Sequence, residues 1–198
     1  MKLLAYATLA SAFAFATVTA KEVGQAAPDF SVQDVNGKTV SLADYKGKAV
    51  VLEWFNPGCP FVKKHYDSGN MQKLQESAAG KGVVWLTVSS ASKTSGAYLE
   101  PSKLGEAAKE KNSKATDILV DAEGKMGKAY DAKVTPHMFI INKEGVLTYS
   151  GAIDSISSSD EADVAKADKL FANALDATLA GKTVEDAKNQ PYGCGVKY

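Results

Sequence analysis

The chain has 198 residues, 45% of them hydrophobic, with 23 basic and 23 acidic side chains, so it can bury one core and carries no bulk charge. That balance argues against a nucleic-acid binder, a disordered tail or a polytopic membrane protein. Every basic residue is Lys, which excludes any mechanism that needs a guanidinium fork on a carboxylate, phosphate or peroxide; with two Cys and two His, a multi-ligand zinc site is nearly out of reach.

Lys2 opens a short basic start, residues 3–15 are an apolar run rich in Ala, Leu and Phe, and Val18-Thr19-Ala20 precedes Lys21. This reads as a secretory signal peptide over residues 1–20. The run is too short for a spanning helix, and no Cys follows it to take a lipid. The expectation is one exported domain over residues 21–198, periplasmic or secreted, with no stable membrane anchor after cleavage, in a space where thiols can be oxidised.

After an extended lead-in at Pro28-Asp29-Phe30, residues 32–42 form two short alternating segments around Asn36-Gly37, a hairpin turn signal. Residues 48–55, with Val50, Val51, Leu52 and Trp54, read as a strand buried on both faces, in which Glu53 is a conspicuous charge. Asn56-Pro57-Gly58-Cys59-Pro60 is a turn feeding a helix with Pro60 at its first position. Helical pattern runs to residue 79 with a bend at Ser68-Gly69-Asn70. A second buried strand follows at 83–88, then a Ser-rich loop at 89–96, a helix at 101–112, a short strand at 118–120 and a short helix at 125–130. Val134-Thr135-Pro136 precedes two strands, 137–142 and 146–150, joined by Lys143-Glu144-Gly145. Val164, Ala167, Leu170, Phe171, Ala174, Leu175, Thr178 and Leu179 share one helical face before Gly181, which predicts a last helix from 164 to 179. The order implies an α/β layered fold with a mixed sheet flanked by helices, an N-terminal hairpin and a C-terminal tail.

Cys59 lies where a buried strand ends and a helix begins. Unpaired amides and the helix dipole place partial positive charge there, which stabilises a thiolate and makes the thiol reactive; the alternative is a small buried hydrophobe. Lys63, Lys64 and His65 follow within two turns, with the lysines expected to face solvent. His137, beside Pro136, is expected to be a satisfied surface histidine.

The run VVLEWFNPGCPFVKKH resembles the active-site strand, turn and helix of thioredoxin-fold proteins, within them the redoxin or peroxiredoxin-like group related to the alkyl hydroperoxide reductase and thiol-specific antioxidant family. APDF, PGCPFV, VTPHMFII, YSGAID and YGCGVKY extend the resemblance over nearly all of the expected mature chain. It implies a thioredoxin-like fold, with Cys59 at the position of the first Cys of a CxxC motif and Val62 where the second would stand. A dithiol cycle then needs a thiol from elsewhere. Cys194, in a tail that also ends the related sequences, is the candidate, as a resolving thiol, a permanent clip or an unrelated free thiol. Pro136 resembles the cis-proline that faces the reactive Cys in this fold, with Thr135 offering its main chain to an extended partner. Glu53 stands six residues before Cys59, the offset of the buried acid of thioredoxins. That implies a proton-exchange role, set against a strand-end Glu paired with a Lys such as Lys48.

The expected function is a thiol-disulfide oxidoreductase with Cys59 as nucleophile and Cys194 as resolving thiol, acting on a thiol or disulfide protein partner or a hydroperoxide, with no cofactor or metal. In the peroxidase signature of the resembling family a Thr stands three residues before the reactive Cys and an Arg lies downstream; here Asn56 takes the first position, as a candidate substrate-binding residue, and no Arg exists. The alternative is a non-catalytic thioredoxin-like binding or scaffold module with a static Cys59–Cys194 bridge.

Overall fold

The computed structural model describes residues 22–198, so the expected signal segment lies outside the described residues. Val50–Trp54 forms β3, and all five side chains are buried because both faces of the strand are covered. Alternation along β3 sends Val50, Leu52 and Trp54 into one core and Val51 into the other, where Phe55 and Cys59 join it just beyond the strand. Glu53 therefore points to the Cys59 side.

β3 pairs in parallel with β4 (Val84–Ser89), which pairs in parallel with β5 (Asp117–Val120). On its other edge β3 pairs antiparallel with β7 (His137–Ile141), whose partner is β8 (Leu147–Gly151). The hairpin β1 (Ser31–Asp34) and β2 (Thr39–Ser41) adds to β5, giving a seven-stranded mixed sheet of order β2-β1-β5-β4-β3-β7-β8. Its turn is fixed by Asp34, whose Oδ1 accepts from the amides of Asn36 at 2.9 Å and Lys38 at 2.8 Å, while Gly37 takes φ +81°.

The helices are α1 (Pro60–Asp67), α2 (Asn70–Gly80), α3 (Pro101–Glu110), α4 (Lys125–Ala129) and α5 (Leu170–Leu179). The predicted bend is a full break at Gly69, φ +73°. The last helix departs from expectation: residues 164–169 lie outside it, after a single 3-10 turn at Glu161–Asp163. Asp168 exchanges hydrogen bonds with Ser155, its amide to Ser155 Oγ at 2.8 Å and its carbonyl from the Ser155 amide at 3.2 Å, and the Phe171 amide donates to Ile153 O at 3.3 Å. These bonds tie the segment to the chain leaving β8, and the same groups are not free to extend a helix.

Beyond α5 the chain returns across the molecule. Asn189 Oδ1 accepts from the Ala152 amide at 2.8 Å, and the last strand, β9 (Cys194–Gly195), pairs antiparallel with β6 (Val134–Thr135). Phe171, fully buried, packs edge-on against Trp85 and Tyr149, with ring centroids 5.4 and 6.3 Å away. Phe171→Ala is expected to lower stability by about 3–5 kcal/mol, from lost transfer energy and the cavity left behind, read as a lower urea midpoint with an unchanged slope.

Candidate active site

The site is built where three backbone segments meet. The turn after β3 is shaped by Asn56: its side-chain Oδ1 accepts from the Gly58 amide at 2.9 Å and its carbonyl from the Cys59 amide at 3.0 Å. This makes Cys59 the N-cap of α1, with Pro60 at the first helical position, where its missing N–H costs nothing. Across from it the Thr135–Pro136 bond is cis, and the Cys59 thiol donates to the Thr135 carbonyl at 3.0 Å. The third segment is β9: Cys194 is in register with Thr135, which sets its thiol against that of Cys59. Close approach here requires Gly193, since a Cβ at that position would lie 2.0 Å from the Thr135 carbonyl oxygen.

The two thiols are not equivalent. Burial pushes the Cys59 thiol up, but hydrogen bonds from the Cys194 thiol, the Thr135 side chain and the Val62 and Cys194 amides outweigh it and hold Cys59 below its ordinary value. Cys194 is pushed up to about 11, first by burial and then by giving its proton to a hydrogen bond with Cys59, with the Cys59 charge opposing its ionisation and Lys197 offsetting part of that. Of the two, Cys59 is the more acidic thiol and Cys194 the one held protonated. Access runs the other way, because Cys59 is 1% exposed under the tail while Cys194 is half-buried. The recess bounded by Asn56, Thr135, Gly195 and Lys197 measures about 10 Å³, at the lower limit for one water.

Glu53 is fully buried and has no Lys beside it, which removes the strand-end ion pair. Its carboxylate accepts from Trp85 Nε1 at 2.8 Å, Tyr66 Oη at 2.9 Å, Thr87 Oγ1 at 3.2 Å and Gln75 Nε2 at 3.3 Å. Burial raises its pKa to about 7 against the opposing pull of those donors. None of these partners is Cys59; Tyr66, which packs edge-on against Phe55 with centroids 5.5 Å apart, belongs to the layer beneath the turn.

Two expectations about neighbouring residues fail. Lys64 does not face solvent: it is 1% exposed, with its ammonium 3.3 Å from Asp154 and 3.0 Å from the Ile156 carbonyl. The α1 face that carries it turns into the protein because the chain after β8 packs over it. His137 is buried, stacked on Phe139 at 4.2 Å, and burial together with Lys133 takes its pKa down to about 3. It opens β7, a strand flanked by β3 and β8, and is 3% exposed, which leaves no room for a surface role. Asp154 and Tyr192, which meet Lys64 and His65, lie in the YSGAID and YGCGVKY motifs, but nothing local in those motifs marks contacts made across so much of the chain. Among the described residues no three His, Cys, Asp or Glu side chains converge as a metal's ligands would. A groove of about 830 Å³ lies between the hairpin and α4, lined in part by Gln33, Tyr98, Asp121 and Lys125, and contains neither cysteine.

A mixed sheet with a cysteine at a strand-to-helix turn, facing a cis-proline, defines a thioredoxin-like fold. The chain belongs to the AhpC/TSA family, whose profile matches residues 23–150. It is 32% identical to peroxiredoxin Bcp of Bacillus subtilis over 142 residues, covering 64% of this chain and 82% of that protein. It is 26% identical to the thiol-disulfide oxidoreductase ResA of the same organism over 129 residues, covering 62% of this chain and 63% of the relative. A crystal structure of an uncharacterized conserved protein from Geobacillus kaustophilus superposes with a TM-score of 0.75 at 26% identity, covering 89% of this chain and 92% of that one. The family match and these relatives place the chain among redox enzymes that work through cysteine.

Two measurements follow. Alkylation of Cys59 as a function of pH should show a midpoint below that of an ordinary thiol, and Cys194→Ala should move the midpoint up, because the variant removes a donor to the thiolate. Glu53 favours its neutral form in the fold, so its stabilising contribution is fully present below pH 4.5 and is lost as pH rises towards 7. Relative to Glu53→Gln, the wild-type chain should lose about 3 kcal/mol across that window and nothing further above it, read from urea unfolding at a series of pH values.

Proposed function

We propose that the protein is an exported thiol-disulfide oxidoreductase in which Cys59 is the nucleophile and Cys194 the resolving thiol. The observation that carries this reading is the pairing of β9 with β6, which puts Cys194 in register with Thr135 and sets its thiol against that of Cys59, where its hydrogen bond lowers the pKa of Cys59. The Cys59 thiolate attacks one sulfur of a partner disulfide; a new S–S bond forms, the partner's S–S bond breaks, and its other sulfur leaves as a thiolate. Cys194, deprotonated in turn, attacks the Cys59 sulfur, closes an intramolecular disulfide and releases the partner's second sulfur. The partner is reduced by two electrons and the Cys59–Cys194 pair oxidised by two, with each released thiolate taking a proton.

In this reading Thr135 and Pro136 present main-chain groups to the partner's extended backbone, and Asn56, half-buried at the mouth of the turn with its Oδ1 committed to Gly58, offers its amide nitrogen to the incoming group. Glu53, titrating near neutral pH, exchanges protons through the Tyr66 layer as the thiolate forms and leaves. Hydroperoxide is the weaker oxidant, because no guanidinium stabilises the charge that develops on its oxygen. Export rests on residues 1–20 and predicts a mature chain beginning at Lys21; no helix of the described residues is long and apolar enough to cross a membrane.

Cys59→Ser should abolish turnover in a coupled glutathione disulfide assay. Cys194→Ser should accumulate a Cys59 adduct one glutathione heavier by intact mass. Full turnover in Cys59→Ser sinks the assignment. Two variants that lose only stability, by about 2–5 kcal/mol, establish a static clip instead.

A further inference from the structure

Behind the cysteines lies a buried polar cluster that the chemistry above does not use. Lys64, His65 and Asp154 are all buried, and Tyr192 reaches in from the tail to meet all three. The hydrogen bonds assign each role. Asn70 Nδ2 donates to His65 Nδ1 at 2.9 Å, so the neutral imidazole carries its proton on Nε2 and donates it to the Tyr192 hydroxyl at 3.1 Å. The Lys64 ammonium also approaches that hydroxyl, at 3.4 Å, and the hydroxyl's own proton goes to Asp154 Oδ1. Burial, opposed by Asp154 and aided by Lys64, takes His65 down to about 4, so the imidazole stands neutral beside the Lys64–Asp154 ion pair. Phe61 packs edge-on against the Tyr192 ring with centroids 5.8 Å apart, and the Lys64 ammonium sits 5.4 Å from the ring centre.

A buried Lys–Asp pair is weak evidence for stability, because desolvation offsets most of its attraction. What this one fixes is a distance. Phe61, Lys64 and His65 belong to α1, the helix that Cys59 caps, and Tyr192 stands two residues before Cys194. One rigid helix thus carries the nucleophile at its start and the anchor of the partner thiol one turn further on. We propose that Tyr192 is the positioning residue for Cys194, its hydroxyl clamping the tail to α1 so that the second thiol is held at high effective concentration over the first. The inference rests on the dithiol reading of the site. Its consequence falls on ring closure, the step in which Cys194 displaces glutathione from Cys59, and not on the first attack by Cys59.

The test uses Tyr192→Phe in the otherwise intact chain, with two readouts. Amide exchange at residues 194–196 should speed up, since β9 loses its upstream anchor. The equilibrium constant for oxidation by glutathione disulfide, measured by intact mass over a range of glutathione ratios, should fall about tenfold, with the Cys59–glutathione mixed disulfide appearing where the wild-type chain shows none; a hydrogen bond to a charged group is worth at least that factor. In a Cys194→Ser background Tyr192→Phe should leave the alkylation rate of Cys59 within about twofold once the tail is opened by mild urea, as expected for a residue that acts through Cys194. A Tyr192 that is merely structural lowers the melting temperature and leaves the glutathione constant of the folded protein alone. That result overturns the proposal, as does unchanged exchange at residues 194–196. A wild-type chain that forms no Cys59–Cys194 bridge at any glutathione ratio defeats the dithiol reading, and the clamp then stands or falls on the exchange result.

Discussion

The antiparallel pairing of Val134–Thr135 with Cys194–Gly195 is the constraint on which the rest of the site depends. It is only two residues long, too little to hold a strand by itself, and the tail is secured on both sides of it. Upstream, Asn189 bonds the Ala152 amide and the Tyr149 hydroxyl, and Tyr192 enters the buried cluster. Downstream, the Val196 amide donates to Lys133 O at 2.9 Å, and the Tyr198 hydroxyl to Ala132 O at 2.6 Å, its ring lying so close over the start of α4 that a Cβ at Gly127 would be 2.5 Å from it. A chain with Val62 in place of a second nearby thiol has thus brought one in from its far end and fixed it by side-chain anchors on β8 and the segment after it, on α1, and on the turn before β6.

That arrangement also explains the contrast between the two thiols. In an isolated helix N-cap the amides of the first turn stabilise a thiolate by themselves. Here the Val62 amide contributes, but the larger favourable share comes from the Cys194 thiol, and the same hydrogen bond that holds Cys59 down pushes Cys194 up. The interaction disappears when the sulfurs become bonded. Its loss on oxidation is therefore part of the energy difference between the two redox states, and anything that moves the tail acts on that difference as well as on geometry.

Much of this was present in the sequence, and the parts that were not share one cause. The apolar run through Val50–Trp54, the Asn36-Gly37 turn and the Pro60 helix start are local signals, and β3, the hairpin and α1 follow them. The proximity of Thr135 to Cys59 came from a motif match, and the hydrogen bond at 3.0 Å agrees with it. Lys64 and Tyr192 were opaque because their environment is made by residues far along the chain: a lysine after an active-site cysteine reads as solvated until Asp154 and the Ile156 carbonyl are seen to cover it. The last helix is shorter than its pattern for the same reason: its apolar spacing continues back to Val164 while Ser155 claims the backbone of Asp168. Periodicity reports which face of a segment is apolar; it does not report which backbone groups a distant segment has already taken.

The closed state of the site sets the order of events in the proposed cycle. Cys59 is 1% exposed, so no partner disulfide reaches its sulfur while β9 is paired. The edge that an extended partner chain would use, the main chain of Val134 and Thr135, is the same edge that β9 occupies. Partner and tail therefore compete for one strand position, and the tail has to lift for the first attack and return for ring closure. Anchors that are too strong slow the first step, and anchors that are too weak strand the mixed disulfide at the second. A hydroxyl held by a buried pair of opposite charges, rather than an apolar plug, suits that requirement: once drawn out, Tyr192 regains its hydrogen bonds from water, and Lys64 and Asp154 still neutralise each other behind it.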